Sequence, residues 1–381
     1  MAVGDVTPIE FISADDPDTG ATVERLTDGK GDTIFPYFTQ PIFAPELDML
    51  LLSSNRSGTW QSYALVLGEG KLVQLSDEPG GISHHGACVL PTKGAACYVT
   101  GRTLKRADLS TQKAESIYEA PEGFRVGILS PPNSGEYVAF VYSEVLRLST
   151  ETGVIYSTMK EHLFRRPACV VMRVATDGSG MEAVWGEREW ISHVNMSPVD
   201  PDIVVFCHEG PWQLVQRLWA VRCSTNEVWP ILKQRRYLDR SGHEYFTVSG
   251  RLVTQWSTKE TPASSDRVCY NALVNPDGGD VDMYRYPGSQ PSHIQTNARE
   301  DLFVGDAAYP TPDFKEGRAF MCVVRHVGDR AEVKPICRHD TSWRTQHSHP
   351  HPVFTPDDEH AVFNSDRGGR SNVYRVRAVW E

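Results

Sequence analysis

The sequence predicts an all-β fold, a seven-bladed β-propeller, and three observations carry that prediction. Short runs rich in Val, Ile, Tyr and Phe recur along the whole 381-residue chain. Clusters of Gly, Pro, Asp and Asn separate those runs, as expected of strands joined by turns. Sustained helical periodicity is nearly absent.

The runs repeat at a spacing that gives about seven units, and a period of this size marks radial or solenoid arrays. The first unit reads FAPELDMLLLSSNRSGTWQSYALVL at 43–67, and the last reads FTPDDEHAVFNSDRGGRSNVYRV at 354–376, with SNRSG and SDRGG as matching turns. Between them lie LSPPNSGEYVAFVYSEVLRL at 129–148 and MSPVDPDIVVFCHEGPWQLVQRLWAV at 196–221. Weaker copies are CVLPTKGAACYVTGRTLKRADL at 88–109, YFTVSGRLVTQWS at 245–257 and HIQTNAREDLFVGDAAY at 293–309. Strands this short cannot bury both faces alone, so packing them as four-stranded blades around an axis is the economical solution. Residues 1–381 are expected to form a single propeller domain, with the N-terminal ATVERLT segment supplying an outer strand to the last blade and protecting its edge.

Composition narrows the function classes. Net charge is −11 with a pI near 5.6, and no long basic block occurs, so no nucleic-acid partner is expected. The opening MAVGDVTPIEF lacks a basic start and an apolar core, and no window is apolar over the roughly 18 residues of a membrane helix, so a soluble, cytoplasmic protein without a membrane partner is expected. The eight cysteines form no CxxC pair and lie mostly in apolar runs, as buried free thiols do.

Chemistry concentrates near the C-terminus, in TQHSHPHPVF at 345–354. In extended backbone, side chains two positions apart point the same way, which places His349 and His351 together with Cα atoms about 6.5 Å apart. His347 shares that parity and Gln346 does not, while Pro350 and Pro352 disturb regular alternation. His293, His243 and His208 occupy similar places in other repeats, so several blades can send imidazoles to one funnel. Imidazole nitrogen with amide oxygen suits a borderline divalent ion, without separating Mn from Zn, Fe or Ni.

HVNMSPVDPDIVVFCHEGPWQLVQRLW, SGHEYF, HIQTNAREDLFVGDA and TQHSHPHPVFTPDDEHAVFNSDRGG together resemble the oligogalacturonate lyases. These are seven-bladed propellers that cleave short pectin fragments by β-elimination with a manganese ion. The likeness runs from about residue 20 and is densest over 165–376. It implies a metal site of His293, Gln346, His349 and His351, thus preferring Gln346 to His347. It also implies His243 as the base and Arg217 as the active-site arginine. A small anionic oligosaccharide is then the expected substrate, with Mn²⁺ or another divalent ion as cofactor. His208 and Glu209 are candidates to bind sugar hydroxyls or to orient the metal histidines, with His193 and Trp212 in the same pocket. The likeness departs at Gln213 and Phe246, where the family carries His and Trp. That leaves two alternatives, the same chemistry on another uronide and a noncatalytic propeller scaffold.

Overall fold

Each predicted repeat falls within one blade and covers most or all of its second strand. The computed structural model describes residues 2–149, 157–235, 237–307 and 319–380, so the end of the 293–309 repeat lies outside the described residues. Among the described residues the strands form seven blades. Blade 1 runs outward from Thr33–Ile34 and Phe43–Ala44 through Met49–Ser54, Gln61–Val66 and Lys71–Gln74, with Val6–Pro8 at its rim. Blades 2, 3 and 4 open on Ala87–Leu90, Phe124–Val126 and Ile191–Met196, and each is a four-stranded antiparallel sheet. Blade 5 (Arg240–Phe246 to Asp282–Arg285) and blade 6 (Ile294–Thr296 to Arg330–Arg338) touch at one parallel bridge, Arg285 with Arg330.

Blade 7 is built from both ends of the chain. Val353–Phe354, His360–Ser365 and Asn372–Arg377 come from the C-terminal side, and Thr22–Arg25 and Ile12–Asp15 pair onto the outside of Asn372–Arg377. The seam is held by Val23 opposite Val376, by the Thr27 hydroxyl donating to Asn372 Oδ1 at 2.8 Å, and by an Arg375–Glu24 ion pair.

The core lies between the blades. The second strand of blades 2, 3, 4, 6 and 7 buries one aromatic ring each: Tyr98, Phe140, Phe206, Phe303 and Phe363. Burying such a ring is worth roughly 1.5–3 kcal/mol. Those rings are the apolar beat of the sequence repeat. All eight cysteines are free, and seven are buried. The repeat pattern did not forecast the helix Met159–Arg165, which is only two turns long and so too short for a 3.6-residue period to register. Its His162 stacks on Trp190 at 4.4 Å, just ahead of the inner strand of blade 4. Among the described residues no helix is long and apolar enough to cross a membrane.

Candidate metal centre and active site

The loops that lead into the inner strands deliver histidines to one end of the funnel. His293 precedes Ile294–Thr296 in blade 6, and His349 and His351 precede Val353–Phe354 in blade 7. One nitrogen from each of these three imidazoles lies within 4.8 Å of the others. All three rings are buried, His351 completely. The convergence does not come from strand alternation. Gln346–Ser348 is a 3-10 turn, His349 is extended, and His351 has φ 48°, so a left-handed residue between Pro350 and Pro352 turns the ring inward. Proline biases the residue before it towards extended backbone, and His351 departs from that bias ahead of Pro352, so the parity argument fails although its two residues meet.

Two further funnel histidines arrive by a different device. His193 (φ 47°) and His243 (φ 38°) each sit at a register shift in the ladder, between Ser192 and Asn195 and between Gly242 and Glu244. A bulge re-aims a side chain that regular pleating would send to a blade face. His243 thereby reaches 4.4 Å from His293, ring centre to ring centre, and His193 stands 5.9 Å from His243.

Aromatic rings wall the cluster. The inner edge of blade 1 is interrupted between Ile34 and Phe43, and that loop inserts Phe38 flat against His351 at 5.6 Å and edge-on to His293 at 5.2 Å. Trp343 stacks along His293 at 6.1 Å and packs on His349 at 4.8 Å. Burial holds His293 down to about 3 and His349 down to about 4, and pushes His351 and His243 well below the usual imidazole value of 6.5. The rings are therefore neutral near pH 7.

This donor set fits a divalent ion. His349 Nδ1 and both ring nitrogens of His351 are buried without a hydrogen-bond partner. Neutral imidazoles offer the lone pairs that metal binding needs. His293 is oriented by Asp306, whose Oδ2 accepts from Nδ1 while Oδ1 accepts the backbone N–H groups of Ser292 and His293, each at 2.9 Å. That bond places the proton on Nδ1 and leaves Nε2 as the ligating nitrogen, the usual carboxylate–histidine support of a metal site.

Arg217 sits beside this cluster between two carboxylates. Its Nε donates to Glu244 at 3.0 Å and its Nη1 to Glu209 at 3.1 Å. Glu209 also accepts from the Ser192 hydroxyl and lies 3.4 Å from His193 Nε2. Burial would raise the Glu209 carboxyl, but Arg217 and His193 outweigh it and hold the group down to about 2.

Three residues expected at the site stand apart from the histidines. Gln346 is exposed on the 3-10 turn, where its carbonyl accepts the His349 N–H at 3.2 Å and its side chain forms no hydrogen bond among the described residues. His208 is bound to Glu187 at 2.6 Å and packs on Phe206 and Trp219. Trp212 lies under the Arg240 guanidinium at 3.8 Å. Phe246 packs against the core of blades 4 and 5, so that departure from the family falls on packing. Sequence reasoning missed His85, whose ring lies 5.6 Å from His351 with both nitrogens unpartnered. The available signal was SHHGA directly ahead of Ala87–Leu90, the same place in its repeat as the other funnel histidines.

A sequence profile described as oligogalacturonate lyase matches residues 1–379. The chain belongs to the oligogalacturonate lyase family. Among its relatives are the oligogalacturonide lyase of Pectobacterium atrosepticum and the oligogalacturonate lyase of Dickeya dadantii, each 27% identical over the full length of both chains. Its fold is shared with a family structure described as oligogalacturonate lyase in complex with manganese, at TM-score 0.86 and 27% identity, covering 100% of this chain and 99% of that one. The Vibrio parahaemolyticus oligogalacturonate lyase superposes at TM-score 0.85 with 26% identity, covering 99% and 98%.

Proposed function

We propose that this family member is itself an oligogalacturonate lyase, cleaving short uronic-acid oligosaccharides such as digalacturonate by β-elimination in the cytoplasm. Mn²⁺ is the proposed cofactor, held by His293, His349 and His351, with Gln346, three residues ahead of His349, as the fourth ligand once its exposed side chain turns inward. The observation that carries this reading is the placement of His243, a neutral imidazole 4.4 Å from a metal-ready histidine. A noncatalytic scaffold has no use for an unprotonated base beside three converging ligands.

A divalent ion supplies Lewis-acid neutralisation of the substrate carboxylate, which makes the adjacent C5 proton more acidic. His243 takes that proton on its free ring nitrogen. The C5–H electron pair becomes the C4=C5 double bond as the C4–O bond breaks, and the departing oxygen is protonated by solvent. Arg217 Nη2 forms no hydrogen bond among the described residues, so it remains for the substrate carboxylate while Glu209 and Glu244 fix the guanidinium plane. A preorganised cation of this kind stabilises charge as it develops. His193 and Glu209, linked to each other, face the same space and are suited to sugar hydroxyls.

The test is absorbance of unsaturated product when purified protein meets digalacturonate with Mn²⁺ and again with a chelator. Product that forms only with the ion supports the reading. No product with Mn²⁺ present, or equal product in chelator, rejects it.

A further inference from the structure

An oligouronide carries one carboxylate per sugar, and the metal and Arg217 account for only one of them. Arg217 is already matched by two carboxylates, so its immediate surroundings hold no spare positive charge. Spare cations do exist nearby. A cleft of about 840 Å³ opens on blade 5 and is lined by Trp212, Arg240, Gly242, Gln255, Arg267 and Gln290. It adjoins the site along the chain: Gly242 precedes His243, and Gln290 lies just ahead of Pro291 and His293. Gln255 pairs with Gly242 in the ladder and donates its side-chain N–H to the Pro291 carbonyl, tying both wall segments together.

Two guanidinium groups face this cleft without a carboxylate partner among the described residues. Arg240 lies flat on Trp212 at 3.8 Å, and its Nε is buried with no hydrogen bond. Arg267 donates Nε to the Ser257 hydroxyl at 3.0 Å and Nη2 to the Leu238 and Ser257 carbonyls, leaving Nη1 uncommitted. Burial, and then the neighbouring Arg240, bring Arg267 down to about 10, against a smaller opposing pull from Cys269 and Asp239. The nearby Asp239 is engaged by Arg235 and by the Thr258 hydroxyl. Asp266 also lines the cleft but forms no ion pair with either arginine. Trp212 Nε1 and Gln290 Oε1 are buried and unpartnered too, so the walls present one further donor and one acceptor. Planar guanidinium forks suit a carboxylate, and an indole face suits the apolar face of a pyranose.

We infer that the Trp212–Arg240–Arg267 cleft is a second uronate subsite, which binds the carboxylate of the sugar next to the one that loses its C5 proton. The inference rests on the lyase reading for the identity of its ligand and deepens it by locating the neighbouring sugar. Arg240 and Arg267 then act in ground-state and transition-state binding alike, so they set KM rather than kcat.

The experiment compares wild type, Arg240→Gln, Arg267→Gln and the double variant, each Mn²⁺-loaded, on digalacturonate. A second substrate is the same disaccharide methyl-esterified on the sugar that does not eliminate. Calorimetric titration with both sugars runs alongside. The expected result is a KM and Kd raised at least about tenfold in the double variant, with kcat and metal content unchanged, consistent with loss of desolvated charge pairs. The ester should bind wild type about as weakly as the acid binds the double variant. Equal affinity of wild type for acid and ester, or a double variant within twofold of wild type, overturns the subsite. Absence of product from wild type overturns the lyase reading instead, and titration still decides whether the two arginines hold a uronate.

Discussion

Replacing Asp306 with Asn tests whether the His293 tautomer controls the metal site. Oδ1 of Asp306 accepts two backbone N–H groups, which the amide oxygen of Asn can retain. Oδ2 accepts from His293 Nδ1, and there Asn presents an N–H to an N–H. The imidazole escapes that clash by moving its proton to Nε2, which removes the lone pair aimed at the ion. Loss of such a supporting contact typically costs 10–100-fold in metal affinity. That is about 1.4–2.7 kcal/mol. Calorimetric titration of wild type and Asp306→Asn with Mn²⁺ reads the difference, and thermal melting in chelator checks that the blades remain folded. An unchanged Kd, with folding intact, would refute the tautomer argument.

Four further outcomes follow from the same geometry. His349→Ala and His351→Ala should each abolish most Mn²⁺ binding, whereas His347→Ala should leave it, because the His347 ring packs on Trp60 and His84; elemental analysis decides, and full occupancy in the first two sinks the ligand set. His243→Ala should keep its metal and lose about 10²–10⁴ in kcat. Because burial holds His243 well below 6.5 in the folded state, its basic form is complete at neutral pH, and kcat/KM should stay flat from pH 6.5 to 8 with the acid limb below that range; a midpoint at or above pH 7 contradicts this. His84, His326 and His349 are each lowered to about 4, so between pH 6.5 and 4 the unfolded chain binds protons that the folded one does not. Metal-free protein should then keep full stability above pH 6.5 and lose it as pH falls towards 4, and equal melting temperatures at pH 7 and 5 would contradict that sign.

The blades were legible because a repeated aromatic in a short apolar run, followed by an SDRGG-type turn, recurs often enough to be heard over local variation. Blade 7 shows it plainly, with Phe363 buried and Gly369 at φ 88° closing the turn back to Asp366. The site was legible only as residue types. His193 and His243 owe their direction to bulges, and no period of two or 3.6 encodes a residue that the ladder skips. Asp306 was invisible for another reason: it follows the second strand of blade 6 as many surface aspartates follow a strand, and only the fold places it under His293. The two arginines of the blade 5 cleft carry no motif, since what distinguishes them is that neither is ion-paired with a carboxylate among the described residues.

The seam in blade 7 also orders events in time. Thr22–Arg25 leaves the ribosome first, and its partner Asn372–Arg377 is made about 350 residues later. At typical synthesis rates of 5–20 residues per second, the early strand waits roughly 20–70 s for that partner. His349 and His351 emerge shortly before that partner, so the nascent chain cannot assemble the three-histidine cluster until residue 351 has been made. During that wait the N-terminal hairpin is an open edge, and its ISAD and TVER strands, punctuated by Asp15, Glu24 and Arg25, carry the charges that discourage pairing with a neighbouring chain.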